Sequence, residues 1–420
     1  QGLSAMWCRW AWWVNLAAWC TPASGQFNVL ARQLLEEDCS DLGASEPRWV
    51  SLQQQMFEAQ LLLLDGNPEG CLEGMLQSLN EMTGDPTLAF LCPLLLCRAF
   101  AGAATSALHL GQRNRGRVLY QLGNIFRIQA ISRWYNDLKD TPSRNKKNER
   151  FEPRMHAEYQ LALATLTEQL SQQPFQIAHG LSPSLKIEIH SICVYKADPT
   201  SNTGFTCPLP ELAPPNHRAY ANLYGYDYRL HTSLVFPDRE AHYSKYMVVA
   251  EAVARAEADW VFYVDCDAFF TSKLRLEDLF SAALAGRNDV QLMVTEDSGG
   301  INTGVFAARG RSQWMLDFIH RVAQNPYTVA WDQSQIFWEL VNGDGSGVLR
   351  SGASRDFQHI PQVAYIHQSQ LNAFVPPAST DWLAYEWQVG DFIRHFAGCP
   401  WQEKPCLDMM RETVTHFQRL

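Results

Sequence analysis

From residue 27 to about residue 180, apolar residues recur at three- and four-residue spacing. Examples are RWVSLQQQMFEAQLLLL (Arg48–Leu64), CLEGMLQSLNEM (Cys71–Met82) and HAEYQLALATLTEQL (His156–Leu170). That period lines one side of a helix with apolar side chains, so the first part of the chain is expected to be helical. Its most apolar piece, TLAFLCPLLLCRAFAGAATSALHL (Thr87–Leu110), is interrupted by Pro93 and Arg98. The interruptions favour a buried helix pair over a membrane span. The stretch TPSRNKKNER (Thr141–Arg150) is basic and turn-rich and reads as a solvated loop. No internal repeat has a convincing period.

After about Leu185 the texture changes. KIEIHSICVY alternates and is rich in Ile and Val, which predicts a strand, and HRAYANLYGYDYRLHT predicts a helix running into a second strand. SKYMVVAEAVARAEADW then predicts a helix, VFYVDCDAFF a buried strand, LRLEDLF a short helix and DVQLMVTED a further strand. Strands alternating with helices imply a mostly parallel α/β sheet, with ligands bound beyond the carboxyl ends of the strands.

The first residues change the picture again. From Met6 the chain reads MWCRWAWWVNLAAWCTPASGQ: a basic Arg9, an apolar run from Trp10 to Trp19 broken by Asn15, then small and polar residues. This suits a secretory signal cleaved near Ala23 to Gly25, and the run is shorter than the roughly 20 residues that a membrane-spanning helix needs. A Trp-rich amphipathic N-terminal helix is the alternative. At 420 residues and 46% hydrophobic composition the chain has material for two domains. A net charge of -10 argues against unselective binding of nucleic acid or anionic membrane. Eleven cysteines fit an oxidising compartment, where Cys193 with Cys207 or Cys399 with Cys406 could close short loops.

The candidate chemistry lies in VFYVDCDAFFTS. Asp265 and Asp267 follow four apolar residues, Val261 to Val264, and so leave a buried strand. Two like charges placed together there are costly unless a cation lies between them. Hard carboxylate oxygens suit Mn2+ or Mg2+. Three enzyme types place such a pair this way. In haloacid-dehalogenase phosphatases the first Asp is a nucleophile, but the Thr or Ser motif, Lys and distal acidic pair that accompany it cannot be assembled here. YVDCDAFF is similar to the first metal motif of translesion DNA polymerases, whose later Asp-Glu motif and basic DNA-gripping domains are absent. The third type is a nucleotide-sugar glycosyltransferase of the GT-A fold.

Downstream motifs favour the third. GGINTGVFAARG (Gly299–Gly310), AWDQSQIFWEL (Ala330–Leu340) and GDFIRHFAGC (Gly390–Cys399) follow the Asp pair in order, and HYSKYMVVAEAV (His242–Val253) precedes it. Over about Ile187 to Cys406 this series resembles glycosyltransferase family 34, the plant and fungal galactosyl-, xylosyl- and mannosyltransferases. The resemblance implies an α/β, Rossmann-like GT-A domain in which Asp265, Asp267 and His395 bind Mn2+ or Mg2+, and through it the donor diphosphate. It implies that Asp332 and Gln333 face donor and acceptor as the catalytic pair. It also implies that Asn302 and Gly304 line the sugar pocket, that Asp297 and Asp391 contact sugar hydroxyls, and that Lys404 neutralises the diphosphate. Read as residues alone, His395 suits a packed core, Asp332 a helix end and Lys404 an exposed surface. Trp331 stands where plant xylosyltransferases of the family have an acidic residue, and Pro400 and Trp401 stand where some members have a basic one.

The expected organisation is a signal or short anchor over residues 1–26, a helical region over 27–182, and a GT-A domain over 183–420. The expected function is metal-dependent transfer of a hexose or pentose from a nucleoside-diphosphate sugar to a glycan or glycoprotein hydroxyl, with retention. The compartment would be the Golgi lumen or membrane, and no nucleic acid partner is expected. The rivals are a metal-dependent phosphotransferase and a carbohydrate-binding relative without turnover.

Overall fold

A computed structural model describes residues 47–83, 93–113, 115–123, 173–194, 209–235, 241–297, 300–324, 331–340, 360–375, 385–397 and 404–420. The expected signal segment, the basic stretch Thr141–Arg150 and the helical stretch His156–Leu170 lie outside them. The chain divides into two compact units.

In the first unit α1 (Pro47–Leu64), α2 (Pro68–Thr83) and α3 (Pro93–His109) each start on proline, whose fixed φ and missing N–H suit the first helical position. α2 packs against both α1 and α3. Leu52, Met56 and Ala59 of α1, Met75, Leu76 and Leu79 of α2, and Ala99, Phe100 and Ala103 of α3 are buried. A Cβ on Gly74 would stand 2.8 Å from the Ala59 Cβ, so glycine sets how closely α1 and α2 approach. Among the described residues no helix is long and apolar enough to cross a membrane.

The second unit carries the α/β sheet. β1 (Ile187–Ile192) is followed by α4 (Leu209–Tyr224), β2 (Asp227–His231), a 3-10 turn at Ala241–Tyr243 and α5 (Ser244–Arg255). Then come β3 (Trp260–Val264), β4 (Ala268–Phe270), α6 (Leu276–Leu284), β5 (Leu292–Asp297), β6 (Gly300–Arg309), α7 (Gln313–Gln324) and α8 (Trp331–Trp338). β7 (Val363–Ile366), α9 (Gln368–Leu371), β8 (Ala373–Phe374), β9 (Ile393–His395) and α10 (Lys404–Arg419) complete it.

Six strands form the main sheet in the order β2-β1-β3-β6-β5-β7. All neighbours pair in parallel except at β6, which is antiparallel to both β3 and β5. This is the mixed, parallel-rich α/β architecture expected of a GT-A domain. Alternation along the strands separates two faces. Ile187, Ile189, Trp260, Phe262, Val264, Val305 and Ala307 enter one apolar core with Tyr220, Phe270, Phe280 and Phe392. Glu188, His190 and Tyr263 lie on the other face, with side chains of α5 against them.

The sequence reads VFYVDCDAFF as one strand, but the chain breaks at the aspartates into β3 and β4. The two carboxylates cannot continue into the apolar layer, so the backbone turns there and the Ala268 amide bonds back to the Asp265 carbonyl at 3.1 Å. β4 joins a second sheet, β4-β9-β8. α4 closes its free edge with side chains. Asn216 donates to Phe270 O at 3.0 Å and accepts from Phe270 N at 2.8 Å. His217 Nε2 lies 2.6 Å from Ala268 O, and Tyr220 stacks on Phe270 with centroids 3.8 Å apart. An amide side chain thus stands in for a neighbouring strand.

Replacing Asn216 with Leu leaves a buried amide and carbonyl of β4 unpaired. It should cost about 1–3 kcal/mol per orphaned group, read as a lowered urea midpoint at unchanged m-value.

Candidate active site

Asp265 leaves β3 with its amide donating to Gly304 O of β6 at 2.7 Å. The turn then points Asp267 toward β9, where its carbonyl accepts from the Phe396 amide at 2.8 Å. In the second sheet His395 pairs with Ala268 on one side and Phe374 on the other. His395 Nε2 thereby comes 3.2 Å from Asp267 Oδ1. Asp265, Asp267 and His395 each offer an atom within 4.8 Å of the others. Two carboxylates and an imidazole form a donor set that Mn2+ or Mg2+ accepts, so the residues fit a divalent ion.

A second charge centre abuts the first. Lys245, in the first turn of α5, is 4% exposed, yet its ammonium has three acceptors: Asp265 Oδ2 at 3.2 Å, Asp332 Oδ2 at 3.3 Å and Thr303 O at 3.3 Å. Three N–H bonds meet three oxygens, which is how a lysine tolerates burial. Burial works against its charge, but Asp265 and Asp332 outweigh it and raise its pKa. Asp332 Oδ2 also accepts from Tyr246 OH at 2.6 Å and Thr303 Oγ1 at 2.7 Å. Burial opposes ionisation of Asp332, but Lys245 and these donors hold its pKa below the usual value. Tyr263 OH donates to Asp265 Oδ1 at 2.8 Å.

The two motif aspartates differ. Burial raises the pKa of Asp265, with Lys245 pulling against it and Asp267 adding to it. Burial acts on Asp267 too, but His395 prevails and lowers its pKa. His395 is shifted up: burial disfavours the imidazolium, and the Asp267 and Asp265 carboxylates more than compensate.

Gly304 has a specific reason to be glycine. A Cβ there would lie 2.3 Å from His395 Cε1 and 3.1 Å from its Nδ1, so only a bare backbone lets the imidazole stand beside β6. Asn302 Oδ1 accepts from Gly304 N at 2.8 Å and from Asn372 Nδ2 at 2.6 Å, pinning that stretch. Both Asn302 and Gly304 lie within β6. Asn302 and Gly304 thus shape the wall behind His395.

The other expected site residues are more dispersed. Gln333 is half-buried at the start of α8, beside Asp332, and its side chain has no protein partner among the described residues. Asp391 lies four residues before His395, in the turn that precedes β9. Its carboxylate accepts from Gln388 N at 2.7 Å, and burial raises its pKa. Lys404 opens α10 with its side chain 88% exposed and Asp408 4.0 Å away. Asp297 ends β5, and its side chain lies outside the described set.

Lys245, Tyr246, Tyr263, Thr303 and Asn372 carry no role in the sequence reading. Lys245 had a signal: a lysine in a helix face otherwise filled by Tyr246, Val248, Val249 and Ala252, all buried. Nothing in the sequence marked Asn372.

The cysteine pairing differs from the short loop closure that Cys193 could have made with Cys207. Cys193 bonds to Cys266, the residue between the two aspartates, with Cα atoms 5.2 Å apart. β1 and β3 are adjacent parallel strands whose carboxyl ends meet, and that proximity is invisible in the 73-residue separation. Cys406 is also disulfide-bonded, while Cys399 lies outside the described residues.

The fold and the paired-carboxylate site define a class, GT-A-like proteins with an Asp-x-Asp motif and a distant histidine. Residues 283–406 match the galactosyl transferase GMA12/MNN10 family. Galactomannan galactosyltransferase 1 of Cyamopsis tetragonoloba is 32% identical over 120 residues, 27% of this chain and 27% of that protein. Glycosyltransferase 6 of Arabidopsis thaliana is 32% identical over 105 residues, 24% of each. The matched part spans about a quarter of these relatives' length. A solved structure, of a glycosyltransferase involved in glycosylation of the major capsid of PBCV-1, aligns over 56% of this chain and all of its own, with 14% identity and a TM-score of 0.34. The family match and the two relatives make this part of the chain similar to glycosyltransferase family 34.

Two outcomes follow from the geometry. Lys245→Met leaves Asp265 and Asp332 without their shared cation and should cost about 3–5 kcal/mol of stability in chemical denaturation. Peptide mapping without reductant should recover a Cys193–Cys266 crosslink. Replacing both cysteines with serine should lower stability by up to about 4 kcal/mol, the chain-entropy value for a loop of this length.

Proposed function

We propose that this chain is a metal-dependent glycosyltransferase that moves a hexose or pentose from a nucleoside-diphosphate sugar to a hydroxyl of a glycan or glycoprotein, with retention at the anomeric carbon. The observation that carries the reading is the meeting of Asp265 and Asp267 with His395, more than a hundred residues away in the chain, within 4.8 Å. A phosphatase using the same aspartates has no need of that histidine. The name of the matched family, and that of the Cyamopsis tetragonoloba relative, make a nucleoside-diphosphate galactose the first donor to test.

Asp265, Asp267 and His395 would hold Mn2+ or Mg2+, which, when bound, neutralises charge growing on the leaving diphosphate. The chain's own residues supply the rest. Lys245 fixes Asp265 and Asp332 relative to one another, so the carboxylates are positioned before substrate arrives. Asp332 directs Oδ2 inward to Tyr246 and Thr303, anchoring the start of α8. Gln333, the next residue, would hydrogen-bond the transferred sugar or the acceptor. The disulfide and the proposed leader together favour the lumen of the secretory pathway, in the Golgi.

The test is a donor screen: nucleoside-diphosphate galactose, xylose, glucose and mannose are incubated with the chain and Mn2+, and released nucleoside diphosphate is recorded. One donor should be turned over, EDTA should abolish release, and Asp267→Ala should reduce it by at least about a hundredfold. Turnover of none, or turnover unaffected by Asp267→Ala, would refute the proposal.

A further inference from the structure

Beneath α5 lies a second buried polar network that the site above does not use. Glu188 and His190 of β1 are 1% and 0% exposed, two residues apart on one face of a central strand. Glu188 Oε2 pairs with Arg255 NH2 at 2.7 Å and with His190 Nε2 at 3.1 Å. His190 Nδ1 in turn lies 3.1 Å from His231 Nε2 at the end of β2. The two imidazoles are within 16° of coplanar, which suits an in-plane bond between ring nitrogens.

The proton positions follow from one end of this chain of bonds. A carboxylate paired with arginine only accepts, so His190 Nε2 carries the hydrogen. Burial pushes the His190 pKa down to about 4, so the ring is neutral and its Nδ1 is an acceptor. The hydrogen between the rings therefore belongs to His231 Nε2. Burial lowers the His231 pKa as well, and its Nδ1 is left as a bare acceptor with no protein partner among the described residues. Fixing the tautomer of one histidine through a buried carboxylate and a second histidine has no evident packing purpose, because an apolar pair would fill the same space without the cost of desolvation.

The place of His231 says what it would meet. It pairs with Ile192 of β1, and His190 pairs with Tyr263 of β3. Two residues further along that register, Ile192 and hence His231 come level with Asp265, on the same face of the sheet. β2 and β3 flank β1, so at strand spacings of about 4.8 Å their ends are roughly 10 Å apart, a span that a ribosyl phosphate bridges. We infer that His231 reads the donor's nucleobase, its Nδ1 accepting from the ring N–H that uracil and guanine carry between two ring substituents and that cytosine and adenine lack. This rests on the glycosyltransferase reading, since it assumes a diphosphate held at Asp265 and Asp267.

The test is calorimetric binding of UDP, GDP, CDP, ADP and inorganic pyrophosphate to the full chain with Mn2+, for wild type and His231→Phe. Wild type should bind UDP or GDP roughly tenfold more tightly than CDP and ADP. His231→Phe should lose that margin while holding pyrophosphate as before. UDP against GDP identifies which base the site takes. Nitrogen-15 shifts of the wild-type imidazoles give an independent measure, with the hydrogen of His231 on Nε2 and its Nδ1 signal moving when the nucleotide binds. Undiminished discrimination in His231→Phe, or a hydrogen on His231 Nδ1, would overturn the inference and leave the enzyme reading standing. If wild type binds pyrophosphate and none of the nucleotides, base reading fails alone; if it binds neither, both fail.

Discussion

Asp265, Asp267 and Asp332 converge at the carboxyl end of one sheet, and the structure around them is organised by how their charge is balanced. Two carboxylates less than 4.8 Å apart repel by roughly 3–4 kcal/mol at an effective dielectric of 20, before any loss of hydration is counted. Lys245 offsets this on one side by spanning Asp265 and Asp332, and His395 does so on the other at Asp267. The two compensations are unequal. Burial shifts Asp265 up although Lys245 pulls against it, whereas Asp267, which alone of the two hydrogen-bonds His395, is shifted down. A centre with three acids, one lysine and one histidine has room for further positive charge, such as a divalent ion would supply.

Much of the surrounding architecture serves to hold these few atoms still. The disulfide from Cys193 anchors the middle of the Asp-Cys-Asp turn to the neighbouring strand. The side chains of α4 cap the edge of β4, which leads directly out of that turn. Gly304 clears the space for the imidazole, and Asn302 fixes the backbone of Gly304. None of these residues need touch a substrate, yet each limits where a carboxylate or the imidazole can stand.

The sequence made the α/β order legible because strands buried on both faces read as apolar runs and the helices between them keep their period. The acidic pair stood out for the same reason, as charge where an apolar run should continue. What stayed hidden was contact between distant segments. Lys245 stood out in an apolar helix face, but its three acceptors come from distant segments of the chain. That Gly304 of β6 stands against the imidazole of His395, 91 residues further on, was likewise not readable along the chain. The pairing of Cys193 with Cys266 depends on two strands being neighbours, which no spacing along the chain encodes. The antiparallel course of β6 was equally unmarked, because a buried strand has the same pattern in either direction.

The central claim is that Asp265, Asp267 and His395 act together as one cation site. Electron paramagnetic resonance of free Mn2+, titrated against the intact chain, measures this without any substrate. The account predicts one bound ion per chain in the wild type, with Asp267→Asn and His395→Ala each weakening binding by roughly tenfold or more. Mn2+ that binds equally well to both variants, or that does not bind the wild type, would contradict it.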